Sequence, residues 1–210
     1  MTVLLLANEE QMDELLSCPA DNTIRLNWIT EPKHLLTLEP VDACIDLLFE
    51  KTKERIIWLH NLGSRLILIN SVIEPLQQIQ QPFIRINGWN TFLKRTVMEA
   101  ASGDAPLREK AQELMACFGR RTEWVADTPG FITPRVVASI INEAFFALQE
   151  NVSTRDDIDT AMKMGTNYPF GPFEWGERIG LRNIYSLLDT LGKKDSRYQP
   201  APLLKQMALA

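Results

Sequence analysis

The chain carries two histidines, His34 and His60, and near neutral pH an imidazole is the side chain best suited to take a proton from a reacting hydroxyl. Histidine chemistry must be built on one of these two or not at all. Of the ten glycines, the first is Gly63. A turn that cradles a dinucleotide pyrophosphate needs glycine for tightness and close backbone approach, yet the first strand-to-helix turn, Ala7-Asn8-Glu9-Glu10, has none. Its glutamates place negative charge where phosphates would lie and suit the positive end of a helix instead. Asn8 in that turn, and Glu31 in the region where an acidic residue would hold a nucleotide ribose, are the candidate cofactor-binding positions. The sequence has no G-x-x-x-x-G-K-[ST] loop, no H-E-x-x-H and no G-x-S-x-G elbow. Histidine and cysteine are too few for a clustered metal site.

The whole chain has 210 residues, 45% of them hydrophobic, and 22 Lys+Arg against 27 Asp+Glu give a formal net charge of −5. That length suffices for a buried core in one or two lobes. The acidic balance argues against nucleic-acid binding, and basic pairs such as Arg120-Arg121 and Lys193-Lys194 read as solvated faces. Cys18, Cys44 and Cys117 form no C-x-x-C spacing, so neither a disulfide framework nor a zinc ribbon is indicated, and a reducing cytoplasm is the expected setting. The N-terminal apolar run is too short for a signal peptide or a membrane span.

The elements that must position these residues follow two rhythms. Short apolar runs alternate with amphipathic stretches through residue 95 or so, the pattern of a β/α lobe. Strands are predicted at Val3–Ala7, Thr23–Thr30, Ala43–Phe49, Arg65–Asn70, Phe83–Trp89 and Thr96–Ala100. Helices are predicted at Glu9–Leu16, with Met12, Leu15 and Leu16 on one face, and at Thr52–Asn61. After Ser102-Gly103-Asp104-Ala105-Pro106, Leu107, Ala111, Leu114, Met115 and Phe118 fall at helical spacing, with Gly119 as the terminator. Thr122–Ala126 reads as extended. A long amphipathic helix is then predicted from Pro134, a second after Thr154-Arg155-Asp156-Asp157 with Gly165 as its stop, and one or two more carrying Leu181, Ile184, Leu188 and Leu191.

Asp127-Thr128-Pro129-Gly130-Phe131-Ile132, then Asp156-Asp157-Ile158-Asp159-Thr160-Ala161-Met162, then Gly165-Thr166-Asn167-Tyr168-Pro169-Phe170-Gly171-Pro172-Phe173-Glu174 and Gly180-Leu181 closely resemble the C-terminal domain of 3-hydroxyacyl-CoA dehydrogenases. Upstream, Asp42 to Glu50 resembles the third core strand of that family, and Ile69-Asn70-Ser71 resembles its Ser-Asn-Thr-Ser segment. Phe83 to Thr91 can be laid on the strand that carries its catalytic histidine. The resemblance implies an α/β fold: an abbreviated Rossmann-like parallel sheet lobe over residues 1–126, then an all-α dimerisation domain over 127–210. It also implies NAD as cofactor, an acyl-CoA as small-molecule partner, a homodimer formed through the C-terminal domain, and neither nucleic acid nor membrane.

In the family a histidine takes the hydroxyl proton and a glutamate twelve positions later orients it. The preferred alignment puts Asn87 and Glu99 at those positions, and a rival without a gap puts Ile84 and Thr96 there; neither supplies a histidine. Asn87, Glu99 and Ser71 are therefore the family-equivalent catalytic positions, although an asparagine cannot act as a general base near pH 7. Glu99 could face the cleft or be solvated at a strand end. Pro134 stands where the family has asparagine, Val72 where it has serine, and Arg135 matches its arginine. Two outcomes follow: an active, shortened NAD-dependent dehydrogenase, or a dehydrogenase-derived protein with impaired or lost chemistry that keeps the fold as a non-catalytic acyl-CoA-binding or structural homodimer. A different reaction using Glu99 or Ser71 is a third.

Overall fold

The computed structural model describes residues 1–18, 23–37, 40–64 and 66–210. Contacts divide the chain into two compact units, Met1–Phe131 and Ile132–Ala210.

In chain order the first unit comprises β1 (Thr2–Leu6), α1 (Glu9–Leu16), β2 (Arg25–Ile29), a 3-10 helix (Pro32–Thr37), β3 (Ala43–Asp46), α2 (Lys53–Asn61), β4 (Leu66–Asn70), α3 (Leu76–Ile79), β5 (Ile84–Ile86), β6 (Val97–Ala101), α4 (Ala105–Cys117) and β7 (Arg121–Trp124). Arg65, the first residue expected in the fourth strand, lies outside the described residues. Among the described residues the strands form one sheet in the order β2-β1-β3-β4-β5-β6-β7. The first five run parallel, β6 is antiparallel to β5, and β7 is parallel to β6.

Why the N-terminal run is apolar at consecutive positions is visible in the layers. Val3 and Leu5 of β1 pack with Leu15 of α1, with Ala111, Leu114 and Met115 of α4, and with Phe118 that follows α4. Leu4 and Leu6 point to the other face, among Leu35, Leu59 and Ile79 from the crossover helices. A parallel sheet covered on both sides needs apolar residues on both. Burial of each such side chain is worth about 1.5–3 kcal/mol.

Helix ends follow local chemistry. Thr52 caps α2 and Asp104 caps α4, while Gly119, at φ 69°, ends α4 as expected. On α1, however, Leu16 is exposed and Gln11 is buried, because the face toward the sheet meets a backbone carbonyl there.

The second unit is helical: α5 (Thr133–Gln149), α6 (Arg155–Thr166), α7 (Pro172–Ile179), α8 (Leu181–Gly192), a 3-10 turn (Ser196–Tyr198) and α9 (Pro202–Leu209). The apolar stripe of α5 packs against α7, α8 and α9, and Asn142 within it holds the turn before α9 through Gln199 O (2.9 Å) and Ala201 N (2.8 Å). Gly165 does not stop α6. It lies inside the last turn, and Asn167, at φ 56°, ends the helix, since asparagine tolerates the left-handed conformation and can close a helix as glycine does. Asp159 of α6 accepts from the amides of Phe173 (2.8 Å) and Glu174 (3.2 Å), the first turn of α7. No helix among the described residues is long and apolar enough to cross a membrane.

Candidate functional site

The strand order reverses between β1 and β3, and in open α/β sheets ligands bind outside the carboxyl ends of the strands at such a point. The residues singled out in the sequence distribute unevenly around that edge.

Asn87 follows β5 directly and faces Glu99 of the antiparallel β6. Asn87 N donates to Glu99 O (3.0 Å), and Asn87 Nδ2 donates to Glu99 Oε2 (3.0 Å). Both residues are buried, so Glu99 is not a solvated strand-end carboxylate. Because a carboxylate accepts and does not donate, the bond fixes the carboxamide with Oδ1 turned away, and that buried oxygen has no hydrogen-bond partner among the described residues. Beside them, burial lowers the Arg95 guanidinium pKa, with the Glu99 carboxylate acting in the opposite sense. Ile84, the rival position, is a core residue on β5.

Ser71 is not part of this pair. Its Oγ donates to Glu74 O (3.0 Å), and its carbonyl accepts from Arg85 Nε (2.8 Å). Arg85, wholly buried on β5, also pairs with Asp127 and donates to Val72 O (3.1 Å), and its guanidinium lies 4.6 Å from the centre of the Phe131 ring. Sequence reasoning missed this residue, although a lone arginine within an apolar strand is a readable signal that a buried partner exists.

The histidines lie elsewhere. His60 occupies the last turn of α2, the crossover that returns the chain to the amino end of β4, whereas Asn87 lies at the carboxyl end of the parallel β5. Its Nε2 is 2.6 Å from Gln81 Oε1, and its ring tilts against Phe83. His34 is exposed in the 3-10 helix.

Asn8 is the N-cap of α1 in a reciprocal box: its Oδ1 accepts from Gln11 N (2.8 Å), and Gln11 Oε1 accepts from Asn8 N (3.2 Å). Glu31 forms an exposed pair with Lys33, whose hydrogen bond lowers the carboxyl pKa. The segment after Asn87 folds back on α1. Asn90 Nδ2 donates to Glu10 Oε2 (2.8 Å), and Thr91 N donates to both carboxylate oxygens of Glu14 (2.8 Å each). Thr91 has φ 76°, a strained conformation for a β-branched residue.

At the carboxyl end of β3, Asp46 is fully buried and bonded to Arg55 Nη1 (3.0 Å). Burial pushes its carboxyl pKa up to about 7, outweighing the pull of Arg55.

Comparison with known proteins draws on both units. The family described as 3-hydroxyacyl-CoA dehydrogenase, C-terminal domain, matches residues 130–210. The 3-hydroxyadipyl-CoA dehydrogenase of Escherichia coli (strain K12) is 33% identical over 190 residues, covering 87% of this chain and 39% of that protein. The probable 3-hydroxybutyryl-CoA dehydrogenase of Bacillus subtilis (strain 168) is 30% identical over 205 residues, covering 88% of this chain and 70% of that protein. The chain thus spans well under half the length of the first relative. Among solved structures, the (S)-3-hydroxybutyryl-CoA dehydrogenase PaaH1 from Ralstonia eutropha shares the fold with a TM-score of 0.74 at 19% identity, covering 99% of this chain and 93% of that one. With likeness running from the parallel sheet through the helical unit, the chain belongs to the 3-hydroxyacyl-CoA dehydrogenase family.

Proposed function

We propose that this member of the family has lost NAD-dependent hydride transfer and keeps its scaffold as a binder of an acyl-CoA-type molecule. The observation that carries the reading is the Asn87 carboxamide held on the Glu99 carboxylate at 3.0 Å, the two positions that the resemblance gives to a base and its orienting acid. A carboxamide cannot take a proton from an alcohol at neutral pH. His60 stands at the opposite ends of the strands and His34 is exposed, which supports the view that no imidazole replaces the missing base.

NAD, the cofactor implied by the family, does not fit the first turn of α1. The turn lacks glycine, its Gln11 amide is spent on Asn8, and Glu9 and Glu10 carry exposed carboxylates where phosphate charge would fall. No step is assigned to it.

The acyl-CoA class is carried over from the relatives, whose names specify CoA thioesters. Homodimerisation through the helical unit belongs to the same reading and is supported by Ile132, Val136, Val152 and Met164, which are exposed on that unit. The unbridged Cys18, Cys44 and Cys117 support a cytoplasmic setting.

The test is incubation with 3-hydroxybutyryl-CoA and NAD from about pH 6 to about pH 10, a range that would titrate a displaced base. No NADH absorbance is expected, and steady NADH formation would overturn the reading. Butyryl-CoA and 3-hydroxybutyryl-CoA should raise the thermal midpoint, since a ligand at ~100 times its dissociation constant adds ~2.7 kcal/mol. Sedimentation should give a dimer at micromolar concentration.

A further inference from the structure

We propose that a hydrogen-bonded lattice centred on the Leu47 carbonyl seals the carboxyl ends of β1, β3, β4 and β5, occupying the edge where this type of sheet holds a dinucleotide and making the unit Met1–Phe131 independent of one. The inference rests on the reading that hydride transfer is lost and extends it from chemistry to binding.

Leu47 O accepts from Gln11 Nε2 (3.1 Å) and from Asn70 Nδ2 (3.1 Å), which uses both of its lone pairs. Leu47 N donates to Leu6 O (2.8 Å). The other end of the Asn70 carboxamide accepts from Gly88 N (3.0 Å). The Asn70 carboxamide thus ties the end of β4 to the turns after β3 and β5, the Gln11 amide ties α1 to the turn after β3, and the Leu47 backbone amide reaches the end of β1.

Three backbone amides around the first turn, Ala7 N, Asn8 N and Gln11 N, are engaged inside the protein. Ala7 N donates to Ile29 O (3.1 Å), and Ala7 O accepts from Trp28 Nε1 (2.9 Å). Asn8 N donates to Gln11 Oε1, Gln11 N donates to Asn8 Oδ1, and Asn8 O accepts from Met12 N. A phosphate using those three amides would have to break bonds already made, against the exposed carboxylates of Glu9 and Glu10.

Gly88 packs tightly against this lattice. A β-carbon on Gly88 would lie 2.8 Å from Asn70 Cγ and 3.0 Å from Leu47 Cδ2. The Asn70 side chain therefore lies against the Gly88 backbone, where a residue with a β-carbon would not fit.

The experiment uses the full chain. NADH fluorescence titration and thermal midpoints with NAD and NADH at millimolar concentration should show no change. Gln11→Ala and Asn70→Ala should each lower the midpoint by ~2–4 °C, and the Gly88 amide should exchange slowly in the wild type. Binding of NADH with a submillimolar dissociation constant, or midpoints unmoved in both variants, would overturn the inference. If NADH binds but no substrate is oxidised, the lattice inference falls while the loss of hydride transfer stands; if NADH is formed from substrate, both fall. The wild-type titration decides the matter even where a variant fails to fold.

Discussion

A β-carbon at Gly171 would lie 2.3 Å from the Asp159 carboxylate, so the aspartate on α6 occupies the space a side chain would need at the start of α7. From there it accepts from the amides of Phe173 and Glu174. A carboxylate from one helix thereby caps the next. The motif residues behind the family resemblance at this point do structural work. Asp159→Ala should destabilise the protein by about 1.5–3 kcal/mol, the range for hydrogen bonds to a charged group. Gly171→Ala should cost more, because backbone or carboxylate must move. Urea unfolding of both variants checks the order.

Arg85 binds the Asp127 carboxylate and the carbonyls of Ser71 and Val72. Arg85→Lys should lose most of that geometry, since a single ammonium cannot reproduce the planar fork. The guanidinium is buried but the Asp127 side chain is 30% exposed, so the loss should stay below the ~3–5 kcal/mol of a fully buried pair, and a clear fall in the urea midpoint is expected. Asp127→Asn keeps a hydrogen-bond acceptor but leaves the buried guanidinium without its countercharge, so it too should lower the midpoint.

Replacing Asn87 by aspartate would set two carboxylates 3.0 Å apart in a buried place. One of them would then hold its proton more tightly in the folded than in the unfolded state. Stability of Asn87→Asp should be nearest to wild type in acid and should decline as pH rises past the usual carboxylate range. Thermal midpoints across pH 4 to 8, measured as differences from wild type, would show that slope; a flat difference would contradict it.

Asp46 gives a second pH dependence with a definite sign. Burial raises its folded pKa from 3.8 to about 7, so the folded state binds the proton more strongly than the unfolded state. The associated stabilisation is complete below the unfolded value and is lost as pH climbs through about 7. The stability of wild type minus that of Asp46→Asn should therefore fall between those limits, which parallel urea titrations would reveal.

Some of this could be read from residues alone. The run at Val3 to Ala7 announces a strand covered on both faces, and Asn8 with Gln11 three places on has the form of a capping box. The spacing of Asn87 and Glu99 is compatible with adjacent antiparallel strands. What stayed hidden depends on partners without a sequence signature. Leu47 enters the lattice through its carbonyl, which every residue possesses, and Arg85 meets Asp127 from 42 positions along the chain. Gly165 misleads as a helix stop because glycine can also lie within a helical turn, whereas Asn167 supplies the left-handed residue.

The carboxylate and carbonyl of Glu14 are held by Thr91 and by Arg120 Nη2 (2.7 Å), partners 77 and 106 residues away. During synthesis α1 emerges early, yet its anchors emerge only after most of the first unit has been made. The ribosome would thus release a long stretch of waiting chain, and the first unit would close late, around Arg120, as contacts of such long range are slow to form.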